Sequence, residues 1–197
     1  NHGCGNLKII EEKFGEDVAK IVNSISKINK LELNDDSESS SIYLRKILVG
    51  LSEDVRVLFI KLADRLHNMR TIWALTPEKQ KKKANETVKV LIPIAHRLGI
   101  NKIKSELEDL CLKYLKPDVY NDIVEKLEDS REDLNFVLSE MKENVSNILK
   151  DYGLKFEIKA RVKSISSIYE KLSKGKKFND IYDILALRII LEKESDC

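Results

Sequence analysis

The segment VRVLFIKLADRLHNMRT, residues 55–71, places apolar side chains at helical spacing. At about 100° per residue, one continuous stripe is made up of Val55, Leu58, Leu62, Leu66 and Met69. Val57 and Ile60 project from the opposite side. A helix that is apolar on nearly all sides packs inside a protein. The segment therefore predicts a buried helix.

The same helix carries four polar residues within about one quadrant of its second face, namely Asp64, His67, Asn68 and Thr71. Burying a carboxylate without a partner costs several kcal/mol, so Asp64 requires a cation or several hydrogen-bond donors. Two interpretations are open. Arg65 or another basic residue pairs with Asp64, while His67 and Asn68 form ordinary core hydrogen bonds. Alternatively, Asp64 is a metal ligand beside a polar turn that faces a substrate.

The composition favours helices and excludes several classes of protein. Hydrophobic residues make up 42% of the 197 residues, and the low counts of 7 Gly and 3 Pro disfavour a fold of many tight turns. No apolar run approaches the roughly 18 residues of a membrane-spanning helix, and no secretory signal is recognised. The three cysteines are too widely spaced for a disulfide framework or a zinc site. We therefore expect a cytoplasmic protein, and its net charge of +2 gives no reason to expect nucleic-acid binding.

Helical periodicity extends over most of the chain before Gly153. It covers residues 7–33 with an interruption at Gly15, and it returns over 42–51 after a polar, loop-like stretch at 34–41. Ser52 is the expected N-cap of the central helix. Further helical segments are predicted to begin near Pro77, Val88 and Pro117.

The periodicity changes after Gly153. Residues 156–161 alternate between apolar and charged side chains, which predicts a half-buried strand. A short helix is expected over 164–173, and the apolar run at 182–191 predicts a buried strand, at least in its second half. The change from helices to strand–helix–strand indicates a domain boundary near residue 150.

Basic residues lie just before that short helix and within it. Lys163, Ser167 and Lys171 have i, i+4 and i+8 spacing, and Arg161 lies just before them. Two ammonium groups, a guanidinium and a hydroxyl on one face suit a polyphosphate. The alternative is an ordinary solvated basic face.

Several segments resemble the RelA/SpoT family, whose members make and destroy the alarmone (p)ppGpp. In family order, the resemblance rests on KLADRLHNMRT (61–71), PEKQ (77–80), PIAHRLGI (93–100), Lys104 with ELEDL (106–110), RVK (161–163), SIY (167–169) with Lys171, and IYD (181–183) with Ala186 and Arg188. It implies a mainly α fold, an HD-domain-type helical bundle with long connecting helices, followed by a partial α+β nucleotidyltransferase-like segment. The implied domains are the C-terminal part of the hydrolase domain over 1–115, connecting helices over 116–152, and the start of the synthetase domain over 153–197.

The resemblance implies that the first part belongs to a hydrolase that removes the 3′-pyrophosphate of (p)ppGpp with bound Mn²⁺. Asp64 matches a catalytic metal ligand of the family, and Asn68 and Thr71 match positions that contact the nucleotide. The family's other ligands, two histidines and an aspartate, lie upstream of the segment around Phe14, and His2 stands in no His-Asp pair. One carboxylate is too few for a hydrolytic metal site, so we expect no hydrolysis by this chain alone.

The second part resembles the start of the synthetase domain, which transfers pyrophosphate from ATP to GDP or GTP. Arg161, Lys163, Ser167 and Lys171 are the implied substrate-binding residues, and Asp183 matches the Mg²⁺-binding aspartate. The family's acceptor-activating glutamate and guanine-stacking tyrosine would lie beyond Cys197, so synthesis by this chain alone is not expected either. The implied partners are ppGpp, pppGpp, GDP, GTP and ATP, with ribosomes met only through later domains of the parent protein.

Two further observations concern that parent. Lys177 is the basic residue that bifunctional members of the family tend to carry first in the motif 177–180. The sequence begins at Asn1 and stops at Cys197, just after a strongly apolar run, so we expect a fragment of a bifunctional enzyme. The competing hypothesis is a non-catalytic nucleotide-binding or regulatory helical module.

Overall fold

The computed structural model describes residues 7–30 and 54–196. The predicted loop at 34–41, the predicted helix at 42–51 and the expected N-cap Ser52 lie outside these ranges. The described residues divide into two compact units, with the boundary between Leu115 and Lys116. The helices that we expected to connect two domains, residues 116–152, are part of the second unit.

The described residues of the first unit are mainly helical. They are α1 (Leu7–Phe14), α2 (Glu16–Lys30), α3 (Val55–Arg70), α4 (Pro77–Glu86), α5 (Ile92–Arg97) and α6 (Asn101–Leu115). Gly15, at φ 88°, separates α1 from α2, as its position in the periodic pattern predicted. A π-helical turn, Thr87–Leu91, joins α4 to α5.

The N-terminus of α3 is capped by an aspartate rather than by the expected serine. The Asp54 side chain accepts a hydrogen bond from the backbone N–H of Arg56 at 2.8 Å. Helix α3 therefore begins at Val55, two residues later than a cap at Ser52 would place it. Both residue types are good caps because a short side-chain oxygen reaches the free amides of the first turn.

The core of the first unit lies where α3, α4 and α6 pack together. Its buried members are Val57, Leu58, Leu62, Leu66, Met69, Ile72, Ala84, Val90, Leu91, Ile92, Ile94, Ala95, Leu107 and Cys111. The predicted stripe of α3 is thus buried from Leu58 to Met69, whereas Val55 is exposed at the start of the helix.

The prediction that α3 is buried on nearly all sides is wrong. Phe59 and Ile60 are exposed, and so are the polar residues of the second face. The buried arc instead includes Lys61 and Arg65, two charged residues beside the apolar stripe. Periodicity identifies apolar positions, but only the packing of α2 and α6 against one side of α3 determines which of them are covered.

The second unit combines helices with a two-stranded sheet. Its elements are α7 (Pro117–Asp129), α8 (Arg131–Asp151), β1 (Phe156–Val162), α9 (Ile165–Ser173) and β2 (Leu185–Leu191). Its buried core is Ile123, Ile168, Ile181 and Ile184. The mainly helical fold followed by a partial α+β segment is thereby confirmed.

The two strands pair in antiparallel register, from Phe156 opposite Leu191 to Val162 opposite Leu185. The apolar side chains of β1 are half-buried in alternation, as predicted. Strand β2 differs from its prediction because Ile189 and Ile190 are exposed. Within the described ranges the sheet consists of these two strands.

Among the described residues, no helix combines the length and the apolar character that crossing a membrane requires.

Candidate functional site

One end of the sheet ladder places an acidic and a basic residue side by side. In an antiparallel pair, the end of the first strand meets the start of the second. Lys163 directly follows β1, and its backbone N–H donates to the carbonyl of Ile184 at 2.8 Å, which extends the ladder by one residue. Asp183 precedes Ile184. Backbone pairing therefore brings Lys163 next to Asp183, although they are separated by 20 residues in sequence.

A second lysine reaches the same carboxylate from helix α9. The Lys163 Nζ lies 2.5 Å from Asp183 Oδ2, and the Lys171 Nζ contacts Asp183 Oδ1. Each carboxylate oxygen thus accepts a hydrogen bond from its own ammonium group. The two lysine side chains are 24% and 28% exposed, and the aspartate side chain is 55% exposed. We call Lys163, Lys171 and Asp183 the ion-pair cluster.

The contacts shift the ionisation of the cluster toward its charged form. Hydrogen bonds from Lys163 and then from Lys171 hold the pKa of Asp183 far below its usual range. The hydrogen bond to Asp183 raises the pKa of Lys171. The cluster is therefore one carboxylate held between two ammonium groups at the surface of the second unit.

The other two predicted polyphosphate residues lie on the adjoining elements. The Ser167 hydroxyl is 2.7 Å from the Ser164 hydroxyl, and Ser164 caps α9 by accepting from the Ser167 backbone N–H. Arg161 is exposed on β1, opposite Ala186. Lys163 precedes the cap of α9, so the expected single helix face is in fact assembled from a strand end and a helix.

The donor set of the cluster suits Mg²⁺ only in part. This cation commonly takes one or two carboxylates and completes its octahedral shell with phosphate oxygens and water. Asp183 supplies such a carboxylate, and the neighbouring lysines suit the phosphates. The residues present therefore fit a magnesium–polyphosphate complex better than a bare cation.

The predicted site residues of the first unit lie on the exposed side of α3. The Asp64 side chain is 53% exposed and lies 3.9 Å from the Lys61 ammonium. The expectation that Asp64 is buried is wrong, because this side of the helix faces solvent. A pairing with a basic residue, the simpler of the two interpretations, is present, and the burial argument no longer supports a metal ligand.

The neighbours of Asp64 share its exposed side. Asn68 and Thr71 are exposed in the last turn of α3 and just beyond it. The Thr71 hydroxyl donates to the carbonyl of His67 at 3.1 Å, so it caps the end of the helix. The described residues contain no group of three or more His, Cys, Asp or Glu side chains that could hold a metal ion.

Two ion pairs that the sequence did not predict hold α3 in position. Arg65, which we considered as a partner for Asp64, is buried and bonds to Glu86 at 3.1 Å. Arg70 forms a two-pronged pair with Glu106 on α6, at 2.6 and 2.9 Å. Arg65 lies four residues before Met69 of the apolar stripe and directly before Leu66. This spacing is the sequence signal that could have indicated its burial.

Comparison with known proteins agrees with the two-part organisation. A family model described as "HD domain" matches residues 2–101, and one described as "Region found in RelA / SpoT proteins" matches residues 160–197. A probable guanosine-3′,5′-bis(diphosphate) 3′-pyrophosphohydrolase of Synechocystis is 42% identical over 194 residues, which are 98% of this chain and 26% of the relative.

Two further relatives show the same proportions. The guanosine-3′,5′-bis(diphosphate) 3′-pyrophosphohydrolase of Aquifex aeolicus is 42% identical over 95% of the chain and 27% of its own length. The bifunctional (p)ppGpp synthase/hydrolase SpoT of Escherichia coli is 37% identical, again over 95% of the chain and 27% of its own length. The chain spans about a quarter of the length of these relatives. It belongs to the HD domain family by its residues 2–101, and its residues 160–197 match the region found in RelA and SpoT proteins.

Proposed function

We propose that this chain is part of a bifunctional (p)ppGpp enzyme and that its second unit supplies the polyphosphate-binding half of the synthetase site. The ion-pair cluster is the observation that carries the proposal, because it gathers two ammonium groups and one carboxylate from three separate segments. The name of the Escherichia coli relative, which states both activities, supports it. The proposed reaction is the transfer of pyrophosphate from ATP to GDP or GTP.

The cluster residues have separate roles in this proposal. Lys163 and Lys171 bind the phosphate oxygens of ATP, and Asp183 holds Mg²⁺ together with those oxygens. Arg161 and Ser167 extend the phosphate site along β1 and α9. When bound, the cation neutralises negative charge on the phosphates, while the lysines orient the chain of phosphates. Other residues of the longer protein complete the acceptor site.

We propose for the first unit that Asp64, Asn68 and Thr71 contribute to the 3′-pyrophosphohydrolase site. The support is their common exposed side on α3, together with the pyrophosphohydrolase names of two relatives. Asp64 would be one ligand of Mn²⁺. The described residues alone do not fit a hydrolytic metal site. The contribution that we propose for Asn68 and Thr71 is therefore contact with the nucleotide.

Titration of the ¹⁵N-labelled chain with ATP and Mg²⁺ tests the synthetase proposal. We expect amide shifts to concentrate at residues 161–171 and around Asp183. The double variant Lys163→Met/Lys171→Met should weaken binding at least about tenfold, because charged hydrogen bonds to phosphate are lost. The control Lys126→Met/Lys174→Met removes two exposed ammonium groups of the same unit and should bind like wild type. Shifts that avoid residues 161–171 would contradict the proposal.

The competing hypothesis is a non-catalytic nucleotide-binding or regulatory module. It predicts the same ATP shifts but no metal-dependent turnover in a protein extended along the reading frame in both directions. Ribosome contact, in either case, is expected only through domains outside this chain.

A further inference from the structure

Each oxygen of the Asp183 carboxylate accepts a hydrogen bond from a lysine ammonium group. Lys163 approaches Oδ2 at 2.5 Å, and Lys171 contacts Oδ1. A magnesium ion bound to this carboxylate must lie about 2.1 Å from one of the oxygens. It would therefore compete with the ammonium groups for the carboxylate and lie within a few ångströms of both positive charges.

Charge repulsion opposes the binding of a free cation at this carboxylate. The two ammonium groups carry more positive charge than the single carboxylate neutralises, so the cluster has a net charge of +1 before any ligand arrives. A free divalent cation is repelled from such a site, and the repulsion is strong because the groups lie closer together than the screening length of physiological salt.

A polyphosphate removes this repulsion, because its negative charge exceeds the net positive charge of the cluster. Its oxygens are stronger partners for Lys163 and Lys171 than a single carboxylate, because they carry several negative charges along one chain. Once the two side chains turn to the phosphates, the Asp183 oxygens are released. The phosphates also supply the further oxygen ligands that a magnesium ion needs.

We infer that Lys163 and Lys171 close Asp183 to free divalent cations, so that the cation enters this site only together with a polyphosphate. The inference rests on the proposed function, and it adds an order of loading: the metal–nucleotide complex binds as one ligand, and free metal does not bind first. The lysines then have a second role besides binding phosphate, because they keep the carboxylate closed until the nucleotide is present.

The alternative is that the cluster only stabilises the fold. Its groups lie at the surface, where ion pairs contribute little to stability. If the cluster were purely structural, removing the lysines would not change the metal affinity of Asp183. This affinity can be measured without any enzymatic turnover.

The test uses Mn²⁺ as a paramagnetic probe on the ¹⁵N-labelled chain without nucleotide. In wild type we expect no selective broadening of the amides at residues 181–185. In Lys163→Met/Lys171→Met we expect those amides to broaden, with an apparent affinity for Mn²⁺ raised about tenfold or more because two positive charges are gone. Adding Asp183→Asn to the double variant should abolish the effect. A well-dispersed amide spectrum checks that each variant is folded.

Two further arms make the outcome specific. The control Lys126→Met/Lys174→Met has the same net charge as the test variant and should leave residues 181–185 unbroadened. In wild type, a non-hydrolysable ATP analogue should bring Mn²⁺ broadening to residues 181–185. Equal Mn²⁺ affinity at Asp183 in wild type and in the test variant would overturn the inference. Absence of any ATP-induced shift would instead overturn the proposed function, while the nucleotide-free comparison would still decide whether the lysines close the site.

Discussion

Cys111 illustrates how burial can dominate the chemistry of a residue. Its thiol lies in the core of the first unit, 3.6 Å from the carbonyl of Ala84. Burial is the main cause that raises the pKa of this thiol to about 12, because the thiolate would lose its hydration. Cys111 is therefore a small apolar core residue that remains protonated at neutral pH, and it has no place in the candidate sites.

This pKa shift predicts how stability depends on alkaline pH. Between about pH 9 and pH 12, the unfolded chain releases the Cys111 proton whereas the folded chain keeps it. Folding stability should therefore fall as the pH rises through this window, by up to about 1.4 kcal/mol per pH unit from this group. Urea unfolding at several pH values should show a steeper loss in wild type than in Cys111→Ala. Parallel pH dependences would show that the thiol titrates normally in the folded chain.

At the scale of the elements, buried and exposed charges on α3 have different consequences. Arg65 joins α3 to Glu86 at the end of α4 and to Thr87 in the π-helical turn, at 3.1 and 3.4 Å. Arg56 lies on the exposed side of the same helix and pairs with Asp54. Removing one partner of a buried pair leaves the other charge partly desolvated, whereas an exposed charge returns to water.

We therefore expect Arg65→Leu to lower the free energy of unfolding by about 3 kcal/mol, although leucine retains much of the packing volume. Arg56→Leu provides the matched control on the same helix and should cost much less. Chemical denaturation followed by circular dichroism gives both values. Equal losses in the two variants would show that the Arg65 pair contributes no more than a surface contact.

At the scale of the whole molecule, the two candidate sites lie in different units. Asp64 is in the unit that ends at Leu115, and Asp183 is in the unit that begins at Lys116. The two units also have separate buried cores. If each aspartate serves the activity proposed for its own unit, the two activities can be removed one at a time.

The separation can be tested in a longer protein, extended upstream until it includes a His-Asp pair. We expect Mn²⁺ to raise its melting temperature, because a ligand that binds only the folded state stabilises it. Asp64→Asn should remove this Mn²⁺-dependent increase and the release of pyrophosphate from ppGpp. Asp183→Asn, the same change in the other unit, should leave both intact. If Asp64→Asn kept the full increase, Asp64 could not be a ligand of that metal.

For the residues that the structure describes, the sequence by itself indicated most element types and their order. Helical spacing predicted the stripe from Leu58 to Met69, and alternation predicted β1, because both patterns repeat over a few residues and need no knowledge of distant partners. The resemblance in residues 61–71 and 161–163 also identified the family before any coordinates. Local order and family membership were therefore predictable.

Only the tertiary structure decided which surfaces are covered and which charges meet. It exposed Asp64, which the apolar pattern of α3 had placed in a buried environment, and it buried Arg65 against α4. It also placed two lysines on the Asp183 carboxylate, through strand pairing and the arrival of α9. The physical reason is that burial and ion pairing depend on contacts between residues far apart in sequence, and a periodic pattern does not encode those contacts.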